Sequence, residues 1–294
     1  MQHLSKEAQN ALSLPKKERI KYINSDKWIG YTTCSEILNR LDDLLDYPRT
    51  NRMPNLIIIG DTNNGKTELI KRFVQRNPPY REGVESELIL PVIYIQAPPV
   101  PDEKRLYNSI LDRLFISYKT NERVEKKETQ IVAMLNHLNT RMIIIDELHN
   151  ILAGTITKQR AFLNVLKYLS NELKISIVAA GIKEALRAIS IDPQLSNRFE
   201  PMILPRWKMT NDYLRLLASF EHMIPLKNKS NLSDKALAQV ILNMTEGHIG
   251  EISTLLKRAA IQSIKSGKEI IDKATIESII WQAPENRRKE IHTV

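Results

Sequence analysis

Asn55-Leu56-Ile57-Ile58-Ile59-Gly60-Asp61-Thr62-Asn63-Asn64-Gly65-Lys66-Thr67-Glu68 is the stretch that decides how this chain is read. An apolar run of the kind found in buried parallel strands leads into Gly60–Thr67, which matches G-x-x-x-x-G-K-[ST] in full, and a helical pattern, Glu68–Gln75, follows. Glycines let the backbone curl, so that successive N–H groups face a β-phosphate, and the helix N-terminus adds its own partial positive charge. Gly60, Asp61, Thr62, Asn63, Asn64, Gly65, Lys66, Thr67 and Glu68 are therefore the candidate nucleotide-binding positions. In this pattern Lys66 bridges the β- and γ-phosphates of ATP, and Thr67 ligates Mg²⁺.

A second stretch, Met142-Ile143-Ile144-Ile145-Asp146-Glu147, lies about eighty residues further along. An apolar strand ending in Asp-Glu places Asp146 beside the Mg²⁺ and lets Glu147 polarise a water for attack on the γ-phosphate. An apolar strand followed by acids is common by itself; its spacing from the phosphate loop, with a strand–helix pattern between, gives it weight. The adjacent glutamate favours hydrolysis over transfer to a small-molecule hydroxyl. His149 has no second ligand at i+4, where Ala153 stands, so it reads as structural or water-positioning rather than as a metal ligand.

Working outward, four further apolar runs read as strands: Leu90–Gln96, Arg141–Asp146, Ile175–Gly181 and Pro201–Leu204. Helical patterns lie between them, clearest in Thr157–Leu173, where Phe162, Val165, Leu166, Leu169 and Leu173 share a face. Another follows Trp28–Tyr31, with Ile37, Leu38, Leu41, Leu44 and Leu45 in register. Strands alternating with helices imply an α/β fold, a parallel sheet flanked by helices. After Pro205 only helical patterns remain, with Thr210, Ser233 and Asp272 as expected N-caps. The expected organisation is a basic N-terminal extension (1–30), an α/β nucleotide-binding domain (31–206), a small helical lid domain (207–283) and a polar, basic tail (284–294).

The chain has 294 residues, with 43 Lys+Arg against 34 Asp+Glu and a net charge of +9. Its hydrophobic content of 42% is ordinary for a globular protein and argues against wholesale disorder. One cysteine, Cys34, excludes an internal disulfide framework and a multi-cysteine zinc site. The first residues carry no basic-then-apolar leader pattern, and no apolar run is long enough to span a bilayer. The expected location is the cytoplasm, with no membrane partner. The positive excess permits a polyanionic partner without identifying one.

Together, the phosphate loop, the Asp-Glu strand end and the C-terminal helices resemble an AAA+ ATPase. Further stretches narrow the resemblance: Trp28-Ile29-Gly30-Tyr31, Asp146-Glu147-Leu148-His149-Asn150-Ile151-Leu152-Ala153-Gly154, Asn197-Arg198-Phe199-Glu200-Pro201, Leu204-Pro205-Arg206-Trp207 and Leu217-Ala218-Ser219-Phe220-Glu221. They resemble the TniB/TnsC family, ATP-dependent regulators of DNA transposition, over about residues 25–283. The resemblance implies an ATP-bound, Mg²⁺-dependent oligomer, a ring or helical filament, that assembles on duplex DNA in a bacterial cytoplasm and is nucleoid-associated when on DNA. It would link a transposase to a target selector of the TniQ type, RNA-guided in relatives from CRISPR-associated transposons.

The resemblance also implies roles for individual residues. Arg198 would reach the neighbouring subunit's γ-phosphate, with a local salt bridge as the plain alternative and Arg187 as the weaker candidate. Trp28, Ile29 and Tyr31 would pack on adenine, although core packing explains them too. DNA-backbone contacts would fall in Pro98–Thr120, on Lys104, Arg105, Lys119 and Thr120, and solvated surface charge is the plain alternative for each. Arg287, Arg288 and Lys289 would form a partner-docking tail.

Two positions depart from the family pattern. Ala180-Gly181-Ile182 lacks the usual polar sensor at the end of the fourth strand. Gly247-His248-Ile249-Gly250-Glu251 carries an acid where many relatives carry a sensing arginine. Both imply slow hydrolysis that acts as a timer. No helix-turn-helix or zinc-finger pattern is evident, so sequence-tolerant DNA binding through phosphates is expected. Two competing functions share parts of this reading. A helicase-loader or initiator-like ATPase of DNA replication would have the same fold but is expected to append a winged DNA-reading domain, for which 284–294 leave no room. A metabolic P-loop kinase would act as a monomer without DNA, and Asp146-Glu147, Arg198 and the helical lid argue against it.

Overall fold

The computed structural model describes residues 3–83, 86–119 and 121–291. In chain order the elements are α1 (Lys6–Leu12), α2 (Lys16–Asn24), α3 (Thr32–Asp46), β1 (Asn55–Gly60), α4 (Lys66–Arg76), β2 (Val92–Gln96), α5 (Glu103–Arg113), α6 (Val124–His137) and β3 (Met142–Asp146). A short 3₁₀ segment, Leu148–Ala153, then precedes α7 (Ile156–Leu173), β4 (Ser176–Gly181), α8 (Lys183–Ser190), α9 (Pro193–Ser196) and β5 (Phe199–Leu204). The remainder is helical: α10 (Asn211–Met223), α11 (Lys235–Thr245), α12 (Ile249–Ser266), α13 (Lys273–Glu277) and α14 (Pro284–Ile291).

Two compact units result, Thr33–Leu204 and Met1–Thr32 together with Pro205–Val294. The first is α/β. Its strands pair in parallel in the order β2-β3-β4-β1-β5. β1, β3 and β4 are buried at every position, which explains why they read as continuous apolar runs rather than as alternating ones. α7 lays Phe162, Leu163, Leu166 and Leu169 into a core shared with Ile57, Ile143 and Ile177. Burying each such side chain contributes about 1.5–3 kcal/mol. The register aligns Ile59 with Gly181, Gly60 with Leu204 and Gln96 with Asp146, so the carboxyl ends of the strands share one edge. Ligands of open parallel sheets bind at that edge.

The second unit has its own core, built from Leu216, Leu217, Leu255, Leu256, Ala259 and Ala260 with Ile23 of α2. α2 is tied to it by a buried ion pair: Arg19 Nη2 donates to Glu269 Oε2 at 2.6 Å and also to the Pro225 carbonyl. Ile29, Tyr31 and Trp207 pack on the same core, and the rings of Tyr31 and Trp207 meet edge to face at 4.9 Å. The Trp207 N–H donates to the Gly247 carbonyl at 2.8 Å. Three of the singled-out segments, around Trp28, Trp207 and Gly247, thus converge within this unit.

The structure adjusts some local expectations. The strand expected at Pro201 begins at Phe199, because the Asn55 N–H bonds the Arg198 carbonyl and the pairing of β1 with β5 starts there. The N-cap expected at Ser233 is Asp234, whose carboxylate accepts the N–H groups of Ala236 and Leu237. Thr210 and Asp272 cap α10 and α13 as expected. The expected tail is helical over Pro284–Ile291, and Arg287 pairs with Glu251. The side chains of Arg288 and Lys289 lie outside the described residues. No described helix is long and apolar enough to cross a membrane.

Candidate active site

The loop after β1 owes its shape to two left-handed residues, Asn63 (φ 62°) and Gly65 (φ 85°). A side chain at Gly65 would be strained, which is why the motif has glycine at this turn. α4 starts at Lys66 with Gly65 as an N-cap that supplies no side-chain acceptor. Its first intrahelical bond runs from the Leu69 N–H to the Gly65 carbonyl, so the N–H groups of Lys66, Thr67 and Glu68 precede the ladder. Asn64 pins the loop to the end of β5, donating from Nδ2 to the Leu204 carbonyl at 2.7 Å.

Lys66 is buried, and its ammonium donates to the carbonyls of Gly60 (2.8 Å) and Asp61 (2.9 Å). Burial lowers its pKa, while Glu147, Asp146 and Asp61 act in the opposite direction. An uncapped helix start beside a buried cation held only by carbonyls is a cradle that fits a polyphosphate.

Asp146 ends β3 at 2% exposure and accepts three hydrogen bonds. Thr67 Oγ1 reaches its Oδ2 at 2.7 Å, Tyr94 Oη the same oxygen at 3.2 Å, and the Glu147 N–H its Oδ1 at 2.8 Å. Hydroxyl and carboxylate oxygens at hydrogen-bond distance suit a hard cation such as Mg²⁺, which takes few protein ligands beside phosphate and water oxygens. Tyr94 is a site residue that the sequence reading missed. Burial, then the charge of Asp146, pushes its hydroxyl pKa up to about 12. A lone tyrosine between Ile93 and Ile95, in a strand pairing with the one that ends in Asp146, is the available signal.

Glu147 is left-handed (φ 56°, ψ 36°), turning the chain sharply after β3. Its carboxylate Oε2 lies 3.3 Å from His149 Nε2.

The other expected positions fall elsewhere. Arg198 precedes β5, at the amino end of the strands and about 17 Å along β1 from the phosphate loop, given about 3.3 Å per residue. There it donates to Asn171 Oδ1 at 2.7 Å, while its buried Nε has no partner among the described residues. Within its own α/β unit it stays away from the loop. Arg187 is exposed on α8. Trp28, Ile29 and Tyr31 belong to the helical unit. Glu251 is buried and paired with Arg287, which accounts for an acid at that position.

Lys104 and Arg105 lie in the first turn of α5, and Lys119 is exposed in the loop after it; Thr120 lies outside the described residues. Arg105 lines a cleft of about 470 Å³ with Gln96, Asn108, Tyr118 and Asn150. Behind Asn108 sits a second residue the sequence reading missed. Lys127 is fully buried, donating from Nζ to Asn108 Oδ1 at 2.6 Å and standing 4.3 Å over the Tyr118 ring. Its place in the i, i+4 row with Ile131 and Leu135 is the signal that it faces inward.

The family model for the bacterial TniB protein matches residues 19–209. No curated protein matches the sequence. Among solved structures, the Aeropyrum pernix ORC2 protein superposes with a TM-score of 0.62 at 16% identity, over 94% of this chain and 74% of that one. The Aeropyrum pernix ORC1 protein, in complex with DNA, gives a TM-score of 0.60 at 16% identity, over 92% and 69%. Cdc6p from Pyrobaculum aerophilum gives 0.58 at 15% identity, over 85% and 67%. These likenesses show a shared fold, a parallel sheet flanked by helices.

Proposed function

The chain belongs to the bacterial TniB family, and on that premise we propose that it is an ATP-dependent regulator of DNA transposition. It binds ATP, oligomerises on duplex DNA as a ring or filament, and connects a target selector of the TniQ type to a transposase. The observation that carries the ATP chemistry is the meeting of Thr67 with Asp146 beside buried Lys66.

In this reading the loop N–H groups and Lys66 hold the β- and γ-phosphates, and Thr67 and Asp146 hold Mg²⁺. The ion supplies charge neutralisation on the phosphate oxygens. Glu147 accepts a proton from the water whose oxygen bonds to the γ-phosphorus. The bond from that phosphorus to the β-bridging oxygen breaks, and ADP and phosphate leave. Arg198 of one subunit stabilises the charge at a neighbour's γ-phosphate, which makes assembly depend on nucleotide. Trp28, Ile29 and Tyr31 contribute the adenine contacts. The absence of a polar side chain at Ala180-Gly181-Ile182 and the engagement of Glu251 by Arg287 favour slow turnover, a timer rather than a motor. Turnover of many ATP per second by the isolated protein would count against that.

Lys104, Arg105, Lys119 and Thr120 are the proposed backbone contacts. With +9 per subunit, many subunits along a duplex sum modest contacts into firm, sequence-tolerant binding. A replication-initiator role shares the fold, and family membership over residues 19–209 favours transposition. Negative-stain imaging on duplex DNA tests the proposal. Rings or filaments with a non-hydrolysable ATP analogue and none with ADP are expected; monomers under both conditions would overturn it.

A further inference from the structure

Glu147 leaves β3 in a left-handed conformation, and nothing in its backbone fixes where its carboxylate points. The described contact to that carboxylate is His149, whose Nε2 lies 3.3 Å from Oε2. The other ring nitrogen, Nδ1, is buried without a hydrogen-bond partner. In a neutral imidazole one nitrogen donates and the other accepts. A proton on Nδ1 would be an orphaned buried donor facing no acceptor, so burial favours the tautomer with the proton on Nε2, the nitrogen that stands 3.3 Å from Glu147 Oε2.

The ring lies against the end of β4. A Cβ on Gly181 would meet the Cβ of Ala185 at 2.7 Å, so the glycine first makes room for α8, and it would also stand 3.3 Å from His149 Nδ1, which lies against this strand end. Ala180, Gly181 and Ile182 offer no side-chain hydrogen-bonding group, so a polar group at this end of the sheet must come from another segment. The 3₁₀ segment Leu148–Ala153 brings His149 there, and it is held in turn by the Asn150 N–H donating to the Glu147 carbonyl at 3.0 Å.

From this geometry we infer that His149 is the positioning residue for Glu147: it donates from Nε2 to the glutamate and holds the carboxylate where it takes the proton of the attacking water. The inference rests on the reading of Glu147 as the base and deepens it. In this role His149 acts only through Glu147.

Steady-state ATP turnover of the full chain on duplex DNA, with binding of a fluorescent ATP analogue measured in parallel, tests it. His149→Ala is expected to lower kcat at least about tenfold, with KM and analogue affinity unchanged, because misplacing a base costs rate rather than binding. His149→Gln, whose amide can donate at the same reach, should return kcat to within about threefold of the parent. In a Glu147→Gln background His149→Ala should cause no further loss. An unchanged or raised kcat in His149→Ala, failure of the Gln variant to recover, or an equal loss in the Glu147→Gln background would each overturn the inference. His149→Asn, polar but too short to reach, decides the same way should the alanine chain fold poorly. If Glu147→Gln itself turns over normally, the reading of Glu147 fails. If Glu147→Gln is inactive while His149→Ala is normal, only the role of His149 fails.

Discussion

The Thr67 hydroxyl donates a 2.7 Å hydrogen bond to Oδ2 of Asp146, closing a gap of 79 residues of chain. One partner opens α4 and the other ends β3, so the bond joins the two halves of the site. On the proposed reading Thr67 and Asp146 would hold Mg²⁺ together, so that losing either would weaken it. Thr67→Ala should raise the Mg²⁺ concentration for half-maximal ATP turnover about tenfold. An unchanged Mg²⁺ dependence would separate Thr67 from the metal.

Tyr94 shares that carboxylate oxygen, and its hydroxyl pKa is pushed up to about 12. A folded-state pKa raised above the unfolded value of about 10 contributes stability that is present below pH 10 and lost as pH rises toward 12. Tyr94→Phe should therefore flatten the loss of stability between those values, and at neutral pH should lower stability by about 1–2 kcal/mol through the missing bond to Asp146. Thermal melts between pH 7 and 12 read both effects.

Arg198 sits at the amino end of β5, bonded to Asn171. On the proposed role of Arg198 at a neighbour's nucleotide, Arg198→Ala should leave ATP binding by the monomer within about threefold of the parent while abolishing ATP-dependent assembly on DNA. Analogue binding together with light scattering separates the two. Normal assembly would return Arg198 to a purely local role.

Arg19 and Glu269 form a buried pair in the helical unit. Burial pushes the Glu269 pKa up, but the hydrogen bond and charge of Arg19 overcome this and leave it lowered. Its stabilising contribution is thus present above the unfolded glutamate value of about 4.3 and lost as pH falls below it. Arg19→Ala strands the carboxylate and should cost about 3–5 kcal/mol in denaturant unfolding at pH 7. The penalty should shrink as pH falls, because a protonated carboxyl no longer needs the guanidinium.

Phosphate contacts release counterions, so DNA affinity should fall steeply with salt. Replacing Lys104, Arg105 and Lys119 together by Ala should reduce the slope of log K against log salt by about 3 per subunit if all three touch phosphates. Fluorescence anisotropy with ATP analogue at several salt concentrations measures it, and an unchanged slope would place DNA elsewhere.

Much of the α/β unit was legible because buried parallel strands need no alternation and the phosphate loop needs its particular residues. β1 and the start of α4 follow directly from Asn55–Thr67. Boundaries were less legible where pairing sets them: β5 begins at Phe199, ahead of Pro201, because β1 offers a partner to Arg198 and beyond. Asp234 rather than Ser233 caps α11, a choice between adjacent capable residues that backbone direction makes.

The sequence by itself determined the fold class, the phosphate loop, Asp146 and Glu147, because backbone conformation and phosphate chemistry each demand few residue types at fixed spacing. Only the tertiary structure decided which distant groups meet. Tyr94 reaches Asp146 because β2 pairs with β3 in one register. Lys127 is buried because α6 packs on α5, and α2 joins the helical unit through an Arg19–Glu269 contact spanning 250 residues. His149 lies against Gly181 because β4 pairs beside β3 in the sheet. Such meetings depend on packing between segments far apart in the chain, and local residue patterns carry no record of them.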